Sequence, residues 1–241
     1  MKSIYKKNKG KYFGYSTFND NNLLLNFVEG SLIAQSFYVN ISFPKRVFDI
    51  LFSLSVILCV FSWLFPLIAL LIKLNSRGAV FFVQDRVGLN GTLFKCYKFR
   101  TMNVVNVKYM YTPTTCSDNR VTAIGKLLRK TNLDELPQFI NVLLGQMSVV
   151  GPRPHAVAFH KTYASFIENI DVRLLVKPGI TGMAQIRGYR GDVEDFEENK
   201  FRTKKRIAFD ILYIKLWSFK TDMWIVYTTV VQMLGRKTNG Y

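Results

Sequence analysis

What the chain has little of narrows its function first. It has only three cysteines, Cys59, Cys96 and Cys116, widely spaced, odd in number and without a CxxC pair. That pattern argues against a disulfide framework or a zinc site and fits a reducing cytoplasmic setting. The two histidines, His155 and His160, form no metal-ligand pattern with nearby cysteines. Neither a P-loop nor a GxGxxG fingerprint occurs, which disfavours an ordinary nucleotide-binding fold. No secretory signal is expected, because the long apolar run begins near residue 50 and no small-residue cleavage site follows it. Acid is scarce: 16 Asp and Glu stand against 33 Lys and Arg, a formal net charge of +17. Such an imbalance points to a polyanionic partner, whether nucleic acid, anionic lipid headgroups or phosphorylated substrates.

The 241 residues are 49% hydrophobic, enough for one buried core with or without an anchor and too apolar for extensive disorder. Twenty phenylalanines beside many cations suit a membrane interface as well as a nucleic-acid surface. Residues 50–72 run uncharged for 23 positions, and about 20 such residues cross a bilayer as a straight helix. A core helix of a soluble protein is seldom apolar all round for that length. Pro66 lies inside the run, lacks an N–H and predicts a kink. Basic residues flank both ends, Lys2, Lys6, Lys7, Lys9, Lys11, Lys45 and Arg46 before it and Lys73 and Arg77 after it. A spanning helix normally shows a Lys and Arg imbalance between its sides. The symmetry here favours a kinked helix that enters and leaves one leaflet over a true span.

Residues 1–40 are polar and aromatic mixtures without clear period and read as an extension. Residues 79–102 read as a β-hairpin turning at Asn90-Gly91, with Lys98 and Arg100 on one face of its second strand. Residues 103–119 read as a loop and 121–131 as a short basic helix. A second helix is predicted from Asp134 toward Leu144, stopped at Gly145. Gly151-Pro152-Arg153-Pro154 is a stiff turn with a helix after it, and Lys177 to Gly182 a second turn-rich break. Residues 194–216 have helical period, acidic first and basic later, as the helix dipole favours. Residues 223–234 are apolar but too short to span, so they lie in the interface or pack on the core.

The most informative run is Asn132-Leu133-Asp134-Glu135-Leu136-Pro137-Gln138. Proline is tolerated in a helix's first turn, which places Asp134 and Glu135 at a helix start, where unpaired N–H groups suit phosphate. Adjacent carboxylates diverge on a helix, so one can attack phosphorus while the other holds a hard cation. The plain alternative is an acid pair that merely caps the helix. Arg86, Lys98, Arg100 and Arg153 lie on turns or strands, and Arg forks match phosphate oxygens. Arg190, in the Gly188-Tyr189-Arg190-Gly191 run, is a further phosphate-binding candidate.

These stretches make the chain resemble the bacterial sugar transferase family, the monotopic phosphoglycosyl transferases that start glycan assembly on undecaprenyl phosphate. The matching runs are KRVFDILFS (45–53), VFFVQDRVG (80–88), KCYKFRTM (95–102), LDELPQFINVLLGQMSVVGPRP (133–154), VKPGITGMAQIRG (176–188) and FDILYIKLWS (209–218). The resemblance covers the chain from about residue 43 to its end. It implies a re-entrant helix–break–helix in one leaflet, Mg²⁺ dependence and a covalent intermediate, with Asp134 as nucleophile and Glu135 as the metal ligand. It places the family's basic positions on Lys98, Arg100 and Arg153. Three departures stand out: Phe65 rather than Ser precedes Pro66, Gln146 replaces an acid, and Met183 stands where Trp is frequent. The Gly188–Gly191 run and the 209–218 stretch resemble the glucose- and galactose-type branch.

The expected fold is α+β and mostly helical. Residues 1–43 form an extension, 44–76 a re-entrant membrane helix kinked at Pro66, and 77–241 a catalytic domain on the cytoplasmic face of the inner membrane, with a β-hairpin and amphipathic interfacial helices. The expected reaction moves a sugar 1-phosphate from a UDP-sugar to polyprenyl phosphate and releases UMP. The expected partners are these substrates and inner-membrane lipids, with a homodimer as a candidate arrangement and no nucleic acid. Two other readings are a non-enzymatic basic membrane protein that binds anionic lipid or nucleic acid, and a phospholipid-modifying transferase. The first gives no reason for Asp134-Glu135 beside a rigid Gly-Pro-Arg-Pro turn, and the second needs a different acidic cluster.

Overall fold

A computed structural model describes residues 23–103, 118–193 and 195–235. The expectations for residues 1–22, for most of the 103–119 loop and for Cys116 fall outside them. Among the described residues the chain is mostly helical, with two small two-stranded sheets.

Residues 23–41, read from sequence as part of an extension, form a helix, α1 (Leu23–Ile41). Its buried side chains, Leu32, Ser36 and Val39, follow helical spacing, but the polar Ser36 in the middle hides the apolar period. α1 is tied to the rest through Gln35, which donates to the Trp217 carbonyl at 3.1 Å, and Asn40, which donates to that of Leu175 at 2.7 Å.

The apolar run is one contiguous helix of 33 residues, Phe43–Asn75, about 50 Å long if straight. It comprises α2 (Phe43–Val56), a π turn (Ile57–Phe61) and α3 (Ser62–Asn75). Ser42 caps it and Pro44 sits in its first turn, where no N–H is needed. Pro66 was expected to mark the kink. Pro66 itself lies inside α3, and the departure from α geometry lies ahead of it in the π turn, which ends at Phe61. Ser62 Oγ and Trp63 Nε1 donate to the Leu58 and Cys59 carbonyls there, at 2.7 and 2.9 Å. In hydrocarbon such carbonyls have no water to accept from. Leu51, Leu54, Leu58, Trp63, Leu67 and Leu70 face outward, uncovered by protein.

The two halves of this helix pack on different elements of the rest of the chain. From α2, Lys45 pairs with Asp222 at 2.6 Å, Arg46 donates to the Val142 and Leu143 carbonyls, and the Asp49 carboxylate accepts from Ser148 Oγ and the Val149 N–H. From α3, Phe65 stacks on Phe81 and Phe99 with centroids 5.5 and 5.8 Å away. Ile68 and Ile72 are buried in a cluster with Phe99 and Leu128.

The hairpin is β1 (Phe81–Val87) against β2 (Leu93–Phe99), antiparallel, with Phe82 opposite Lys98 and Val87 opposite Leu93. Its connection is longer than the two-residue turn expected, running from Gly88 to Thr92. Asn90 and Gly91 are nonetheless the residues with φ of 52° and 73°, which those residue types tolerate best. After the hairpin come α4 (Ala123–Thr131), a single 3₁₀ turn (Leu133–Glu135) and α5 (Gln138–Leu143). β3 (Ser148–Val150) then leads into the Gly-Pro-Arg-Pro turn, with α6 (Val157–Ala164) beyond it. The break at 177–182 holds a strand the sequence reading missed, β4 (Gly179–Thr181), parallel to β3. Three residues are too few for alternation to show. α7 (Met183–Ile186), α8 (Phe196–Lys215) and α9 (Phe219–Leu234) follow among the described residues.

Glycine sets the closeness of the β3–β4 pair. A Cβ on Gly179 would lie 2.1 Å from the Gly151 nitrogen and 2.5 Å from the Thr181 oxygen, both backbone atoms. Gly179→Ala must therefore part the strands and shift the turn that carries Arg153. It is expected to lower stability by about 1–3 kcal/mol, as overpacking does, and the thermal unfolding midpoint of the detergent-solubilised protein measures it.

Candidate active site

Asp134 and Glu135 were expected in the first turn of a helix. They lie instead on the 3₁₀ turn between α4 and α5, after Asn132 at φ 58° closes α4. α5 begins only beyond Pro137 and is six residues long, so a helix dipole contributes little here. What surrounds the two acids is side-chain charge. The turn is docked by Asn141 of α5, fully buried, which accepts from the Tyr97 N–H at 3.1 Å and donates to the Lys95 carbonyl at 2.7 Å. Those bonds hold α5 along β2 and so set Lys98 against Glu135.

Glu135 is buried, and three cations from three segments converge on it. Lys98 of β2 donates to Oε1 at 2.7 Å. Arg153 of the Gly-Pro-Arg-Pro turn forks across both oxygens, at 2.6 Å to Oε1 and 3.0 Å to Oε2. Arg190, in the loop before α8, donates to Oε2 at 2.7 Å and to the Asn132 side-chain oxygen. Burial pushes the Glu135 carboxyl up, but Arg153, Lys98 and Arg190 together outweigh it and hold the group well below the usual carboxylate range. Burial pulls the Lys98 ammonium down, and Glu135 opposes that shift.

Asp134 is different. No described residue donates a hydrogen bond to its carboxylate, and the side chain is 9% exposed. Burial, then the neighbouring Glu135 charge, raise its carboxyl above the ordinary value, while Lys98, Arg190 and Arg129 pull it back. Two adjacent carboxyls are thus driven apart, one firmly ionised and saturated, the other open and harder to ionise. Such a separation assigns different jobs to the members of a pair.

Of the expected cationic residues, Lys98, Arg153 and Arg190 meet at the acids, while Arg86 and Arg100 bond elsewhere. Arg100 donates to the carbonyls of Arg77 and Ser76, at 2.6 and 2.9 Å, just past the end of α3, where helix termination leaves acceptors open. Strand alternation puts it on the face of Lys98 but does not decide where its long side chain ends. Arg86 donates to the Pro154 carbonyl and to Gln84, so it holds the turn that carries Arg153. Sequence reading missed Arg129, Asn132 and Arg173. Arg173, itself buried and 2.8 Å from Asp210, donates to the Arg153 carbonyl. Arg129 stands in the basic helix already recognised, so its closeness to Asp134 in sequence was the available signal. Arg173 sits between Val172 and Leu174 and gave none.

Mg²⁺ wants six oxygens, of which phosphoryl-transfer sites often supply one or two from carboxylates and the rest from substrate phosphates and water. Among the described residues no group of three His, Cys, Asp or Glu could hold a metal unaided. The donors are of the right kind, and Asp134 has lone pairs to offer. Glu135 accepts two bonds on each oxygen and would join only by releasing a cation. The donor set therefore fits a cation shared with bound phosphates and centred on Asp134 better than one held by Glu135.

Were Glu135 an acid that merely caps a helix, it would be exposed and its loss would leave the fold intact. Its burial and four charge-assisted bonds overturn that. Glu135→Gln leaves three cations facing a neutral amide and is expected to cost about 3–5 kcal/mol. The depressed carboxyl adds a signature. Its stabilisation is present above the unfolded-state carboxylate range and fades as pH falls toward the lower folded value. Unfolding measured against pH should show that fade in the native chain and lose it in the variant.

The residues that build this site all fall within a stretch that matches known proteins. Residues 40–236 match the model of the family described as bacterial sugar transferase. The chain is 48% identical over 186 residues to a UDP-glucose:undecaprenyl-phosphate glucose-1-phosphate transferase of Klebsiella pneumoniae, covering 77% of this chain and 39% of that protein. A protein with the same description from Escherichia coli K12 is likewise 48% identical, with the same coverage. The exopolysaccharide production protein PSS of Rhizobium leguminosarum bv. phaseoli is 44% identical over 197 residues, 80% of this chain and 96% of that one. The chain thus spans about two fifths of the first two relatives and nearly all of the third. With the family model extending from the end of α1 through α9 and taking in the dyad and its three cations, the chain belongs to the bacterial sugar transferase family.

Proposed function

We propose that this chain transfers a sugar 1-phosphate from a UDP-sugar to polyprenyl phosphate, undecaprenyl phosphate in the bacterial membrane, through an aspartyl–phosphosugar, and so initiates assembly of an exopolysaccharide-type glycan. The observation that carries the reading is the contrast within the dyad: Asp134 is open, whereas Glu135 is enclosed by Lys98, Arg153 and Arg190. The relatives' names, with UDP-glucose and undecaprenyl phosphate in them, support the substrate classes and favour glucose.

In the first displacement an Asp134 carboxylate oxygen bonds to the sugar-bearing phosphorus. The bond from that phosphorus to the bridging oxygen breaks, and UMP leaves with the electron pair. In the second, a phosphate oxygen of the polyprenyl phosphate attacks the same phosphorus. The Asp134 oxygen–phosphorus bond breaks, giving polyprenyl diphosphosugar and the free carboxylate. Lys98, Arg153 and Arg190 offset the phosphate charge, the dominant demand in phosphoryl transfer. Glu135 holds those cations in place until the diphosphate arrives. Mg²⁺, the expected cofactor, would be held by Asp134 and substrate phosphates and would neutralise phosphate charge. Burial around the dyad keeps water from consuming the intermediate.

The enzyme works on the cytoplasmic face of the inner membrane, with the apolar helix re-entrant in one leaflet. Cationic flanks at both ends support this, as does the packing of both helix halves against the rest of the chain, the first half on α5, β3 and α9 and the second on the hairpin and α4. In a chain without its native cysteines, Ile41→Cys and Arg77→Cys are both expected to label only from the cytoplasmic side. Labelling of position 41 solely from outside establishes a span instead.

Asp134→Asn keeps the side chain's shape, so membrane association and fold are expected to persist while transfer falls to background. Given UDP-glucose and Mg²⁺ without acceptor, the native chain should release about one UMP per active enzyme and stall, with one sugar phosphate gained on the Asp134 peptide, as covalent catalysis requires. UMP release only with both substrates present rules out the covalent route.

A further inference from the structure

Arg190 differs from the other two cations at Glu135 in what supports it. Lys98 stands on a paired strand, and Arg153 has proline on either side. Arg190 lies in a loop between α7 and α8 with glycine at 188 and 191, Gly188 at φ 85°. Glycine-flanked backbone has many conformations to lose, so something else must hold it.

The restraints come from the far side of the loop. Arg206 of α8, buried, donates from Nε to the Tyr189 carbonyl at 3.0 Å and from Nη2 to the Gly191 carbonyl at 2.8 Å and to Asp192 Oδ1 at 3.0 Å. Tyr163 of α6 donates its hydroxyl to Asp192 Oδ2 at 2.7 Å. Arg202, one turn before Arg206, donates to the Gly188 carbonyl at 2.9 Å, with its guanidinium 5.8 Å from the Tyr189 ring centre. The backbone on each side of Arg190 is thereby fixed, and its guanidinium is directed to Glu135 and Asn132.

We propose that Arg206, with Tyr163 acting through Asp192, is a positioning residue for phosphoryl transfer: it clamps the 188–192 loop so that Arg190 is held in place for the donor phosphates. A buried arginine is costly unless its N–H groups are satisfied, and this one spends them on the loop and on the Asp192 that ends it. Displacement of a phosphate-binding group by about 1 Å can slow a reaction of this kind by about 100-fold. The proposal rests on the reading of Arg190 as a phosphate ligand.

The test uses the full chain in detergent with UDP-glucose and Mg²⁺, reading the UMP burst rate per active enzyme and the thermal midpoint. Tyr163→Phe, Arg206→Lys and Arg190→Lys are compared singly and in pairs. Tyr163→Phe removes one hydroxyl and keeps the test alive if Arg206→Lys does not fold. Each single variant is expected to slow the burst several-fold, and adding either positioning variant to Arg190→Lys should slow it no further, since residues acting through one another are non-additive. A native burst rate in Tyr163→Phe, or effects that multiply with Arg190→Lys, overturns the clamp while leaving Arg190's role intact. A native rate in Arg190→Lys overturns the ligand reading itself. Lowered midpoints with unchanged bursts would make Arg206 and Tyr163 purely structural and also overturn the proposal.

Discussion

The burial of one carboxylate under three cations organises the whole site. Glu135 draws together a strand, a proline-bounded turn and a glycine-flanked loop that are distant in sequence. An isolated buried charge of either sign would be costly, so each partner is held by the others. The same arrangement sets up the proposed chemistry. The cations are committed to Glu135, which leaves its neighbour Asp134 in a buried place with no described hydrogen-bond donor of its own. A carboxylate so placed loses little solvation when it meets a phosphorus, and the cations that stabilise Glu135 are already placed where a diphosphate would bring its charge.

Around that centre lies a second tier of residues that touch backbone rather than acid. Arg86 and Arg173 hold the carbonyls of Pro154 and Arg153, and Asn141 fixes α5 on β2. The close approach of Gly151 and Gly179 lets β3 and β4 pair beneath the turn. Rigid support of this kind is what a site needs if its charged groups are to cost no reorganisation when the reaction occurs. The apolar helix is joined to the same frame. Asp49 in α2 accepts from β3, and the Phe65, Phe81 and Phe99 stack seats the hairpin on α3. The apolar helix and the dyad thereby belong to one structural unit.

Much of this was legible in the order of residues. The hairpin, the basic helix α4, the helices α8 and α9 and the long apolar helix all announce themselves by period, turn chemistry or length. Asp134 and Glu135, with Lys98 and Arg153, stand out because acids beside a proline-stiffened arginine have few bland explanations. The failures have separate local causes. α1 hides behind a buried serine, β4 is too short to show a period, and the place of Pro66 did not reveal that the preceding turn would open into a π turn.

Sequence by itself determined the local classes: most of the helical segments, the run apolar enough for a membrane, and the acids and cations of the kind that phosphate chemistry uses. It could do so because periodicity, capping and residue type act within a few positions along the chain. Tertiary structure decided which charges meet. Lys98 on β2 and Arg100 just past its end are two residues apart, yet one binds Glu135 and the other donates to carbonyls just past the end of α3. Arg190 reaches an acid 55 positions away. Long side chains choose among acceptors by the packing of the elements that carry them, and that packing is a property of the whole chain. The division of labour between Asp134 and Glu135 followed from it, since their opposite shifts arise from burial and from cations that only folding brings together.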